Sequence, residues 1–253
     1  PARRASSKIA AAPIATGRSP SGTDFDTILP REAARPRLAL TARAALFAVA
    51  AVALAGCAAF APRPDYDALT AQMMKSSFRD QGIAKVDRLQ QDAANAECSK
   101  AEGKPLPDDL ARALQDAALK TVKMPGDGRF IGDWREGEKL AQNGRGMTWT
   151  DASADPKANG ANCYNCHQID KKEISYGTIG PSLWNYGKNR GVKDVADPAT
   201  AAIVQYTWGK MWNSKAYAAC SNMPRFGHAR LLNEDQLRHV MALLLDPKSP
   251  VNQ

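Results

Sequence analysis

Five consecutive residues, Cys163-Tyr164-Asn165-Cys166-His167, restrict this chain more than any others. They form a C-x-x-C-H motif, the attachment signature of c-type haem. Two thiols three positions apart can each add to one vinyl group of the same porphyrin. The next residue then delivers its imidazole to the iron from one face. The expectation is one covalently attached haem c, with Cys163 and Cys166 as thioether sites and His167 as an axial ligand. Two plainer readings use the same thiols. A thioredoxin-type dithiol sits in a βαβ setting, and neither flank here carries a strand pattern. A zinc site needs a second ligand pair, whereas Cys98 and Cys220 are isolated singles.

A sixth iron ligand must come from elsewhere, and Met211, Met223, Met241, His228 and His239 are the candidates downstream of the motif. Met223 precedes Pro224 in a stretch of turn formers without helical period, which reads as a loop able to present a thioether. Met241 and His239 fall on a predicted helix, and Met211 lies between Trp208 and Trp212, so core packing is the simpler reading for these. Met223 is the expected second axial ligand, with His228 the alternative in a bis-histidine site. Beyond the motif, Gly177-Thr178-Ile179-Gly180-Pro181-Ser182-Leu183 offers the Pro181 carbonyl as an acceptor for His167 Nδ1–H. Such a contact would fix the imidazole tautomer. An ordinary turn is the bland alternative.

The chain's net charge of +8 invites a nucleic-acid or anionic-membrane reading. Residues 1–56, however, hold eight basic and three acidic groups, a net of +5, which leaves +3 downstream. Within that segment, residues 44–55 are uncharged and apolar, with Arg35, Arg37 and Arg43 upstream, the pattern of an export leader. Leu54-Ala55-Gly56-Cys57 resembles a bacterial lipobox, whose cysteine carries lipid. Ala53-Leu54-Ala55 is itself a peptidase-type site that would release a soluble product, and an uncleaved anchor is a third option. Residues 1–31 show no hydrophobic period and read as sequence upstream of the true start. The expected place is the periplasm, with membrane contact only through a lipid on Cys57. The remaining basic groups, Lys171-Lys172 and Lys188-Asn189-Arg190, are not interleaved with aromatics, so nucleic acid is not expected as a partner.

Two helices are predicted around the haem motif. One covers 135–143 and stops at Gly144. The other opens at Asn233 and buries Leu237, Val240, Met241 and Leu244 on one face. Strand signals are nearly absent. A helix, C-x-x-C-H, a G-P-x-L turn, a Met-Pro loop and a terminal helix, in that order, resemble the class I cytochrome c fold. The runs NCYNCHQI (162–169), GTIGPSLWNYGKNRG (177–191) and NMPRFG (222–227) further resemble SoxX, over roughly residues 129–247. SoxX is the monohaem subunit of the SoxXA heterodimer of bacterial thiosulfate oxidation.

That resemblance implies a partner, SoxA, which carries the catalytic haem. The pair couples thiosulfate oxidatively to a cysteine of the carrier SoxYZ and passes electrons to a downstream acceptor cytochrome. SoxX relays electrons, so no catalytic residue is expected on this chain. A free-standing periplasmic electron carrier is the rival reading, and a haem sensor with an open sixth position a weaker one.

The all-α expectation extends upstream. Residues 57–128 form a helical extension before a haem domain at 129–253. One predicted helix runs through Ile83, Val86, Leu89, Ala93 and Ala96, and a second carries Leu110, Leu114, Ala117 and Ala118 behind Pro107-Asp108-Asp109. Of five cysteines, two belong to the haem motif and Cys57 to processing. Cys98 and Cys220 remain, a pair that suggests a disulfide in an exported protein, with two unpaired thiols as the alternative.

Overall fold

Helix starts and stops in this chain follow from where its carboxylates and carboxamides can cap. A computed structural model describes residues 64–253. The leader at 1–56, its apolar run at 44–55 and the lipidation candidate Cys57 lie outside the described residues. Helix α1 (Tyr66–Ser77) buries none of its side chains. The single helix predicted through 83–96 is instead broken. A 3-10 turn, Val86–Leu89, ends at extended Gln90, and α2 (Ala93–Lys100) starts anew. The cause is Asp92, whose carboxylate accepts from the Asn95 N–H and so opens a helix inside the expected run. Helix α3 (Asp108–Leu119) follows Pro107, with two aspartates in its first turn.

Helix α4 (Trp134–Ala141) is capped by the Asp133 carboxylate and stops at Gln142, short of the predicted Asn143 and Gly144. Its last turn gives way because the Leu140 and Asn143 carbonyls take the N–H groups of Ala161 and Asn162 at 2.9 and 3.0 Å. The chain leading into the C-x-x-C-H turn is thereby sewn onto the end of α4. Helix α5 (Ala201–Trp212) has no counterpart among the predicted helices, and α6 (Glu234–Leu245) opens with a reciprocal Asn233–Gln236 capping box.

The described residues are helical and contain no strand, only an isolated bridge between Gln81 and Ala84. Residues Tyr66–Gln253 make one compact unit, which the 57–128 extension and the 129–253 segment therefore share from Tyr66 onward. Its centre is the contact between α4 and α6. Leu237, Val240, Met241, Leu243 and Leu245 of α6 are buried there, each such side chain contributing about 1.5–3 kcal/mol. The two helices approach so closely that any Cβ on Gly137 would run into the His239 carbonyl. Trp208 of α5 completes the core, edge-on to Phe130 with ring centres 5.6 Å apart. Among the described residues no helix is long and apolar enough to cross a membrane.

Candidate functional site

Residues 163–167 form a tight turn entered from Asn162, whose φ of 53° is left-handed. The Cys163 carbonyl accepts from both Cys166 N–H (3.1 Å) and His167 N–H (2.9 Å). Two thiols and an imidazole therefore leave one short helical turn. Neither thiol is bonded, and burial pushes the Cys163 thiol up to about 12, so it is protonated at neutral pH.

A second segment wraps this turn. Gly177 N–H donates to the Tyr164 carbonyl at 2.9 Å, Gly180 N–H to that of Cys166 at 2.7 Å, and Leu183 N–H to that of Gln168 at 2.8 Å. The wrap lies directly on the imidazole, since a Cβ on Gly180 would run into the His167 ring. Pro181 then places its carbonyl 2.6 Å from His167 Nδ1. A carbonyl can only accept, so Nδ1 carries the hydrogen and Nε2 keeps its lone pair free for a metal. The outer part of the wrap is anchored by Glu173, which accepts from Ile169 N–H (2.8 Å) and from Gln142 Nε2 of the α4 C-cap (2.6 Å). Ile174 and Ile179, at 103% and 79% exposure, stand free on the same wrap, an apolar rim beside the turn.

Met223 sits in the predicted loop. Its carbonyl accepts from Ser214 Oγ at 2.6 Å, and its N–H donates to Ser221 Oγ at 3.3 Å. Its half-buried side chain packs against the core that also takes Cys163, Tyr164 and Leu183. Among the described residues the two segments meet through that core rather than by a direct hydrogen bond.

The other candidate ligands are placed differently. Met211 and Met241 are buried in α5 and α6. His239 uses Nδ1 to accept from the Asp133 N–H at 2.9 Å. His228 lies in an exposed stretch, its pKa lowered by partial burial and by Arg225, with Asp92 opposing. A cleft of about 510 Å³ lies elsewhere, lined by Lys120, Lys123, Trp212, His228 and Arg230 among others, and by none of Cys163, Cys166, His167 or Met223.

Cys98 and Cys220 form a disulfide with Cα atoms 5.5 Å apart. Around it stand residues to which no sequence motif pointed. Arg225 pairs with the α2 cap Asp92, and Ser214 holds Met223. An Asp before an Ala-rich run, as Asp92 stands, could have marked the helix start but not its partner Arg225, and nothing in the sequence marks Ser214.

No known protein family matches the chain. A 145-residue stretch is 36% identical to an uncharacterized lipoprotein of Aquifex aeolicus (strain VF5), covering 57% of this chain and 64% of that protein. The chain thus spans less than two thirds of that relative's length. What the two share is a sequence relationship over little more than half of this chain, with no activity attached to it.

Proposed function

We propose that this protein is an exported monohaem c-type cytochrome of the class I fold, working as an electron relay in the manner of SoxX within a SoxXA-like heterodimer. The observation that carries the reading is the 2.6 Å contact of His167 Nδ1 with the Pro181 carbonyl, made on a C-x-x-C-H turn whose two thiols are free. That contact prepares Nε2 as a metal donor and orients the ring before any metal arrives. The donor set also fits the group. Two unbonded thiols and an imidazole leave one short turn at the spacing that covalent haem attachment takes. The order α4, turn, wrap, Met223 loop and α6, with α4 packed on α6, is what the class I reading requires.

Cys163 and Cys166 would hold the haem by thioether bonds, and His167 and Met223 would be the axial ligands. When bound, the haem supplies a one-electron couple at its iron. The chain's own residues set how that couple behaves. Met223 offers a soft thioether that favours the ferrous state and raises the potential relative to a second imidazole. The Pro181 carbonyl fixes the His167 tautomer and ring orientation, and the wrap lies against the ring at Gly180. As the SoxX resemblance implies, turnover would belong to a partner that carries the catalytic haem. The Ile174–Ile179 rim suits contact with one. A leader that exports the chain, with Cys57 as a lipid site, completes the proposal, and the lipoprotein relative supports that anchoring.

The protein made in a haem-attaching host should carry one haem that survives acid–acetone extraction. Met223→His and Met223→Gly should keep that haem, lose the far-red thioether–iron band of the ferric protein and lower the potential. Purified from its native cell, it should arrive with a larger haem protein. Arrival as a monomer would favour the free carrier, and a chain that takes up no haem would end both readings.

A further inference from the structure

The polar and covalent contacts that leave residues 92–123 have a common destination. Asp92 pairs with Arg225, and Cys98 is bonded to Cys220. The Thr121 carbonyl accepts from Trp212 Nε1 at 2.9 Å, and Thr121 Oγ1 accepts from Asn213 Nδ2, also at 2.9 Å. The Lys123 carbonyl accepts from Trp208 Nε1 at 2.7 Å. Helix α3 packs on the short turn Ser214–Ala216, and Ser214 is the residue whose hydroxyl holds the Met223 carbonyl. Every one of these links from 92–123 ends on 208–225, the segment that leads to Met223 and flanks it. None ends on the 163–183 turn and wrap.

The Met223 loop has little else to hold it. Residues 218–225 belong to no helix, and their hydrogen bonds are mostly local. The loop is tied at both ends of α2, through its cap Asp92 and through Cys98 in its last turn. We propose that residues 92–123 are a brace for the Met223 loop, with Asp92, Cys98 and Thr121 as positioning residues that keep the thioether at its post. This rests on Met223 as the sixth donor, as proposed above. The extension then serves to close the sixth position against other ligands. A free loop would let Met223 leave and an external base enter, because a ligand selects whichever loop population admits it.

The test uses the full, haem-loaded protein and two milder breaks besides the obvious one. Cys98→Ser/Cys220→Ser removes the bridge, Asp92→Asn the ion pair and Thr121→Val the acceptor for Asn213. Hydrogen exchange followed by mass spectrometry should accelerate in 219–226, about tenfold or more in the double serine variant and less in the others, with 163–183 unchanged. Imidazole should bind the ferric double variant about tenfold more tightly than the parent, and the thioether–iron band should weaken in step. Unchanged exchange in 219–226, or an increase shared equally with 163–183, would overturn the brace. If the parent lacks the thioether band, the Met223 assignment fails, and the exchange pattern alone still decides whether the brace exists.

Discussion

At the scale of single residues, the most informative position is Gly180, whose missing side chain lets the wrap lie on His167. Gly180→Ala leaves the thiols and the imidazole in the sequence but forces either the ring or the Pro181 carbonyl out of place. On the proposed reading, the expected result is a protein that still takes up haem but whose imidazole has lost its oriented hydrogen bond. Its potential should shift, and the His167 Nδ1 proton should lose its NMR protection from exchange while the Met223 thioether band persists. A variant with parental potential and protection would mean that the wrap merely rests against the ring. Both ends of this contact were legible in the sequence, because C-x-x-C-H and G-P are local patterns with a chemical reason for each member. Ser214 and Arg225 were not, since a hydroxyl and a guanidinium reveal nothing about their partners until the chain has folded.

Among the elements, the α4–α6 pair decides stability. Gly137 permits backbone-to-backbone approach, and Gly137→Ala would push a methyl into the His239 carbonyl and the Leu243 Cβ. Overpacking of this kind costs about 1–3 kcal/mol, readable as a lowered midpoint in denaturant with the slope preserved. Helix α6 is legible nearly to the residue because its caps and its apolar face agree. Helix α5 is hidden in the sequence for a physical reason. It carries apolar residues around much of its circumference, with Trp208, Val204 and Met211 buried, and no side chain caps its start. Helix α1 escapes for the opposite reason, having no face that any core buries. The 83–96 run misleads because apolar spacing continues across a point where Asp92 begins a new helix. A capping residue outweighs periodicity there.

For the whole molecule, acid should act through the joint between extension and loop. Burial raises the Asp92 carboxyl, but the Asn95 N–H and the Arg225 guanidinium outweigh it, helped by the Lys215 charge, and the net value lies below the ordinary one. A carboxyl depressed in the folded state stabilises the fold above its unfolded pKa and loses that contribution as pH falls through the lower folded value. Stability should therefore decline below about pH 4. Asp92→Asn should be less stable than the parent near neutrality and should show a shallower decline, measured by thermal unfolding across pH. A slope identical to the parent's would assign the acid sensitivity to other carboxylates. The tie itself was legible as a leftover cysteine pair, whereas its convergence with Asp92, Thr121 and α3 on one loop is a property of the assembled fold.

The same tie sets a problem in thiol chemistry for the young chain. In a chain exported as proposed, Cys98, Cys163, Cys166 and Cys220 would enter the compartment together, and Cys163 and Cys166 are near neighbours whereas the bridged pair has a sequence separation of 122. An oxidant that makes the long bridge also meets the short pair, and Cys163 and Cys166 joined to each other could not join a porphyrin. Maturation of the proposed haem protein would thus call for oxidation at one pair and reduction at another, on a single polypeptide and in one compartment.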